Sequence, residues 1–170
     1  MKKPDGFKMD QLAFASQGEG LAKDIMARLG GEWIEDTVEF VTLDGSSTGT
    51  YKLHYNYDFG IEYELLVWKE GLFWLQPVVY PFGHTSAPQR EGALSPHIPV
   101  PSHIGTHVPN AVKAASEWAS YLGVKVAQAV ETVRHTNEYL LERNRRYRYV
   151  ILDTRHILGA DLKFIERIEK

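Results

Sequence analysis

Ser102-His103-Ile104-Gly105-Thr106-His107-Val108 decides the fold, together with the helical stretch ending in Leu122-Gly123-Val124 and the strands that close on Gly159-Ala160-Asp161-Leu162-Lys163-Phe164-Ile165. Residues 10–66 have already run through the same events. They begin at Asp10-Gln11-Leu12-Ala13-Phe14-Ala15-Ser16, pass a helical stretch ending in Leu29-Gly30-Gly31, and close on Gly60-Ile61-Glu62-Tyr63-Glu64-Leu65-Leu66. The offset is 92 residues from Asp10 to Ser102 and 99 from Gly60 to Gly159, so order and spacing are both kept. A near-repeat of this length reads as two copies of one supersecondary unit sharing a site.

The local signals give the content of each copy. Residues 9–16 read as a strand. Leu21, Ile25, Met26 and Leu29 form a helical stripe, which Gly30-Gly31 ends. Strands follow over 33–43, 51–57 and 61–68, with Asp44-Gly45-Ser46-Ser47-Thr48-Gly49 as a turn. In the second copy 103–108 is a strand. The helix over 111–122 buries Val112, Ala115, Trp118, Ala119 and Leu122. Residues 124–133, 147–153 and 161–168 are strands, separated by a polar Arg/Asn-rich stretch and a turn near Gly159. The order β-α-β-β-β therefore occurs twice. Between the copies, residues 71–101 hold six of the eight prolines, which excludes long regular elements there. That segment reads as a linker or a flap over the site.

Composition narrows the class. A chain of 170 residues, 44% apolar and 12% aromatic, suffices for one core, and a single unit spanning 1–170 is expected. Module one covers about 9–70 and module two about 102–170. A net charge of −3 argues against non-specific attachment to nucleic acid or an anionic membrane. With no cysteine, disulfide scaffolds, thiolate zinc sites and cysteine nucleophiles are excluded. No apolar run reaches the length of a spanning helix, and Met1–Gly6 leads into no signal-like apolar region. The expected location is the cytoplasm, with no membrane partner.

Two βαβββ units with these strand signatures resemble the vicinal oxygen chelate superfamily, which takes in glyoxalase I, methylmalonyl-CoA epimerase, bleomycin- and fosfomycin-resistance proteins and extradiol dioxygenases. The resemblance covers nearly the whole chain apart from 71–101. It implies an α+β, glyoxalase-like fold in which two modules form a cupped mixed sheet, and it implies a homodimer. It also implies metal ligands on the first and last strand of each unit. Carried over by position, these fall on Gln11, Glu64 and His103, and would hold a divalent ion such as Zn, Ni, Mn or Fe. The fourth position, four residues past a turn glycine, holds Glu in metal-binding members. Here Gly60 plus four is Glu64, but Gly159 plus four is Lys163.

Amide oxygen, carboxylate and neutral imidazole form a chemically suitable ligand set. A protonated lysine at the fourth corner would repel the cation. Strand parity puts Glu62 beside Glu64 and His107 beside His103, which nominates Glu62 and His107 as catalytic bases. It puts Lys163 and Ile165 on one face and Glu166 on the other. The resemblance implies a metal-dependent lyase or isomerase that stabilises an enolate or oxyanion. The alternative is a cup that sequesters a small, anionic ligand without chemistry, with Lys163 holding the anion. Arg145 and Arg146, within Arg143-Asn144-Arg145-Arg146-Tyr147-Arg148, are candidate anion clamps. Nucleic acid is the weaker partner for so short a basic block. Trp74, near Trp68 and Phe73, is a candidate aromatic wall. His135 lies outside the implied ligand positions and ranks below Glu62 and His107 as a general base.

Overall fold

Gly60 and Gly159 both take the left-handed conformation, with φ of 73° and 76°, where a side chain would be strained. Each turn launches the last strand of its module, so Glu64 and Lys163 start from equivalent points. The structure is a computed structural model and describes residues 2–46, 48–68 and 100–168. The first module runs β1 (Gln11–Gln17), α1 (Gly18–Leu29), β2 (Ile34–Thr42), β3 (Thr48–Asn56) and β4 (Glu62–Trp68). The second runs β5 (Val100–His107), α2 (Ala111–Leu122), β6 (Val126–His135), α3 (Glu138–Glu142), β7 (Arg146–Leu152), α4 (Arg155–Leu158) and β8 (Asp161–Ile168).

The eight strands close into one barrel in the order β1-β4-β3-β2-β6-β7-β8-β5. The modules join along β1–β5 and β2–β6, both antiparallel. Pairings β1–β4 and β5–β8 are parallel, as a first strand followed by a crossover helix requires. Closure leaves no exposed edge for another chain to pair with.

Both long helices pack on the outside. Asn110 caps α2 by accepting from the Lys113 backbone N–H at 2.8 Å, and Gly123 ends it at φ 69°, as cap chemistry requires. The α2 stripe Ala111, Ala115 and Trp118 buries Val150, Leu152, Leu162 and Phe164. Around α1, Ala22 meets Leu65, with Phe14, Ile25 and Trp33 packed alongside. The opposite faces of the strands line the interior. One end there is apolar, with Ala15, Val38, Leu53 and Leu66 in one cluster and Phe40, Val130 and Tyr149 in another. Each fully buried side chain of this size contributes about 1.5–3 kcal/mol.

Several details depart from the sequence expectation, and one is Val112, which faces solvent at 47% exposure instead of joining the α2 buried stripe. Strand β6 runs to His135 rather than ending at Val133, and carries a bulge: Glu39 pairs with Arg134 but Phe40 pairs with Thr132. The polar stretch after β6 holds the short helix α3, capped by Asn137 accepting from the Leu140 N–H. A second short helix, α4, precedes Gly159. The proline-rich segment up to residue 99 and Trp74 lie outside the described residues, while Val100 and Pro101 belong to β5.

Candidate functional site

Strand register brings the implied ligand positions together. Gln11 on β1 stands opposite Glu62 on β4 and Gly105 on β5, and Gly105 stands opposite Lys163 on β8. One step along, Ala13 stands between Glu64 and His103. Small residues make room for the long ones. A β-carbon added at Gly105 would lie 2.9 Å from both Cβ and Oε1 of Gln11, so only glycine admits the Gln11 side chain beside β5.

The result is a buried polar chain. Gln11 Nε2 donates to Glu62 Oε1 at 2.5 Å, which leaves Gln11 Oε1 facing His103 Nε2 at 2.9 Å. An amide oxygen can only accept, so His103 carries its proton on Nε2. Its Nδ1 then accepts from Ser102 Oγ at 3.1 Å. Glu64 Oε2 lies 3.3 Å from the same Nε2. Lys163 Nζ lies 3.3 Å from His103 Nε2 and 3.7 Å from Glu64 Oε2. It also stands 4.5 Å from the centre of the Tyr149 ring, within cation–π range.

The electrostatics follow from burial and the lysine. Burial and the Lys163 charge push His103 down to about 4, against the pull of Glu64, so its imidazole is neutral at pH 7. Burial alone would raise Glu64, but Lys163 and the His103 hydrogen bond outweigh it and hold the carboxyl below its usual range. Burial and the neighbouring Glu64 charge push Glu62 up to about 7, with Lys163 and Gln11 opposing in part. Two carboxylates two residues apart therefore differ: Glu64 is fixed as an anion and Glu62 is poised to exchange a proton.

These side chains open onto a cavity of about 610 Å³ inside the barrel, large enough for a drug-sized ligand. Six tyrosines line it: Tyr51, Tyr55, Tyr57, Tyr139, Tyr147 and Tyr149. The Tyr51 and Tyr149 hydroxyls are hydrogen-bonded to each other, and burial raises both Tyr51 and Tyr55 well above the phenol range.

His107 also lines the cavity, but it is exposed and sits 3.5 Å from Asp10. The basic block disperses. Arg145 reaches the cavity, whereas Arg146 is spent on an ion pair with Glu131 and a bond to the Thr132 carbonyl. Arg148 pairs with Glu131 and Glu166, and Arg143 stacks on Tyr139 at 3.6 Å. Arg146 therefore does not join Arg145 as a clamp, because consecutive side chains entering β7 point to opposite faces and the cavity takes Arg145, Tyr147 and Tyr149.

Two residues that sequence reasoning ranked low or missed complete the lining. His135 enters the cavity wall, and Asp36, fully buried on β2, lies 2.7 Å from its Nδ1. Asp36 had one legible signal. It shares a strand face with Ile34, Val38 and Phe40, and a carboxylate on an apolar face needs a partner.

The metal expectation can be tested on this geometry. Gln11, Glu64 and His103 do converge, but the His103 Nε2 that would face an ion holds a proton shared with Gln11 and Glu64. The fourth corner is an ammonium with no lone pair to give. Among the described residues no group of three or more His, Asp or Glu side chains is arranged to hold a metal ion. The donor set does not fit a resident divalent metal.

Barrel order and module repeat define a glyoxalase-like fold. Solved structures that share it include a hypothetical protein of Bacillus halodurans C-125, with a TM-score of 0.51 at 15% identity over 96% of both chains. Methylmalonyl-CoA epimerase from Mycobacterium tuberculosis gives 0.51 at 13% identity, over 95% of this chain and 88% of that one. A mutant of 4-hydroxymandelate synthase from Streptomyces coelicolor gives 0.50 at 14% identity, over 96% of this chain and 49% of that one. No protein-family model matches the sequence, and no curated protein matches it. Among the described residues no helix is long and apolar enough to cross a membrane.

Proposed function

We propose that the protein is a small-molecule enzyme of the isomerase or lyase kind in which Lys163, rather than a metal ion, supplies the positive charge. The observation that supports this reading is the position of Lys163 Nζ, buried at the cavity floor within 3.7 Å of Glu64 and 3.3 Å of His103. The anionic Glu64 holds the ammonium in place, and Tyr149 covers one side of it. A carbonyl oxygen that gains negative charge beside Nζ is stabilised by a cation already oriented in a dry site.

Glu62 is the proton carrier. Its carboxylate removes a proton from the carbon next to the carbonyl, breaking the C–H bond. The electron pair moves to form the C=C bond, and the carbonyl oxygen becomes the oxyanion opposite Lys163. Return of the proton from Glu62 to a neighbouring carbon completes an isomerisation, whereas its return to the same carbon from the same face only exchanges the proton. A carboxyl group with pKa near 7 can serve in both directions at neutral pH. Gln11, donating to Glu62, fixes its orientation.

Solvent-deuterium exchange tests the step. Pyruvate and 2-oxobutyrate incubated with the enzyme in D2O are expected to gain deuterium at C3, and Glu62→Gln and Lys163→Met are expected to abolish the gain. Exchange at the uncatalysed rate with the folded wild-type protein would contradict the reading for these acids. The same neutralised Lys163–Glu64 pair also favours a second reading, ligand sequestration without chemistry. Binding of these acids with no exchange would select it.

A further inference from the structure

The cavity has a second polar pole that the proton transfer at Glu62 does not use. Along β6, Gln128, Val130 and Thr132 alternate inward, and regular parity would send Arg134 the same way. The bulge between the Thr132 and Arg134 pairings reverses the order, so that Arg134 is exposed and His135 is buried at 4% exposure. Bulges that re-aim a side chain occur next to functional sites.

His135 is held in one orientation. Its Nδ1 lies 2.7 Å from Asp36 Oδ2. Every other partner of Asp36 is a donor: the backbone N–H of Thr136 at 2.9 Å and of Asn137 at 3.0 Å, the Thr136 hydroxyl at 3.3 Å, and the Tyr55 hydroxyl at 3.4 Å. A carboxylate that only accepts requires His135 to carry its proton on Nδ1. In the neutral ring the Nε2 lone pair is then free, and among the described residues Nε2 is buried with no hydrogen-bond partner in the cavity wall. The Tyr147 ring stands edge-on to the imidazole, its centre 6.0 Å away. Tyr147 also hydrogen-bonds Arg145, whose Nε is likewise buried without a partner.

We propose that His135 and Arg145 form a ligand subsite for a small aromatic hydroxy acid, with His135 Nε2 accepting the hydroxyl proton and Arg145 taking the carboxylate. Asp36 is a positioning residue that fixes the tautomer. The aromatic part follows from the six tyrosine rings of the cavity, which suit a flat ring better than a flexible chain. The two polar contacts follow from two unpaired buried atoms of opposite character, one acceptor and one charged donor. The inference rests on the barrel interior being the ligand site, but not on the chemistry at Lys163.

Titration of the whole protein with 4-hydroxybenzoate, benzoate and phenol, read by calorimetry and by nitrogen NMR of histidine-labelled protein, tests it. The free protein is expected to show His135 protonated at Nδ1 alone, and Asp36→Asn to shift it toward the Nε2-protonated form. 4-Hydroxybenzoate is expected to bind about fivefold more tightly than benzoate, the worth of one hydrogen bond, and to shift the Nε2 resonance. His135→Phe should remove that preference, and Arg145→Gln should weaken both acids but not phenol. His135→Gln serves as a second variant if the phenylalanine lowers the melting temperature. No binding of 4-hydroxybenzoate, an Nε2-protonated His135 in the free protein, or an unchanged preference in both folded His135 variants would overturn the proposal. Binding lost in Lys163→Met but untouched at His135 would overturn it while leaving the Lys163 reading standing.

Discussion

The two poles of the cavity are built on opposite principles. At the β1–β4–β5–β8 end, Gln11 bonds Glu62 and His103, and Glu64 Oε2, which has no hydrogen-bond partner among the described residues, is neutralised by Lys163 at 3.7 Å. At the β2–β6 end, Asp36 is saturated by donors while His135 Nε2 and Arg145 Nε are left unpaired. The first pole is closed and stores its chemistry in one poised proton on Glu62. The second is open and waits for a ligand.

Substitutions separate the poles by their cost to stability. Lys163→Met strands the Glu64 carboxylate without its cation, and breaking a buried pair in this way costs about 3–5 kcal/mol. Urea unfolding should show a loss of this size. A loss below about 1 kcal/mol would mean that the pair is solvated and the contrast between the poles is false. Asp36→Asn comes next. With the Asn oxygen kept on the Thr136 and Asn137 N–H groups, the NH2 group replaces the Oδ2 that pairs with His135 Nδ1, and the lost bond should cost about 1–3 kcal/mol by the same measurement.

The pH dependence sharpens the comparison further, because Glu62 and His103 act in opposite senses. Glu62 is raised from 4.5 to about 7 on folding, so the folded state holds the proton more tightly. Its stabilisation is complete below pH 4.5 and is lost as pH rises to about 7. His103 is lowered from 6.5 to about 4, so its contribution is complete above pH 6.5 and is lost as pH falls to about 4. Wild-type stability should fall between pH 6.5 and 7. In Glu62→Gln the fall between pH 6.5 and 7 should vanish, leaving the His103 rise from pH 4 to 6.5 set against the fall from Asp161, which burial raises to about 6. Thermal melts across this range check both, and an unchanged profile in Glu62→Gln would remove Glu62 from the account.

The smallest effect is expected at Arg146. Its pair with Glu131 is partly exposed, and pairs of this kind are worth less than about 1 kcal/mol. Arg146→Ala should leave both stability and acid binding nearly unchanged, in contrast to its neighbour Arg145. A loss of acid binding equal to that of Arg145→Gln would restore the two-arginine clamp.

The closed pole was legible in the sequence because its residues sit at fixed distances from turn glycines and on strands whose parity is regular. Gly60 to Glu64 and Gly159 to Lys163 are such distances, and both glycines take the left-handed turn that the spacing needs. The open pole was not legible, since a bulge is a register event between two strands and leaves no mark within β6. Parity predicts Arg134 inward, and only the pairing with β2 shows that His135 replaces it. Helix α3 escaped for another reason. It has five residues, Glu138–Glu142, too few to show a helical apolar period, and Asn137 caps it.

Lys163 places an ammonium at the corner where the resemblance implies a carboxylate in metal-binding members. Metal analysis of the wild-type protein and of Lys163→Glu, both purified without chelator and then equilibrated with Ni, Zn, Mn or Fe, tests this most directly. The account predicts substoichiometric metal in the wild type and about one equivalent in Lys163→Glu, where Gln11, Glu64, His103 and the new carboxylate complete a ligand set. Stoichiometric metal in the wild type, lost in both Glu64→Ala and His103→Ala, would contradict it.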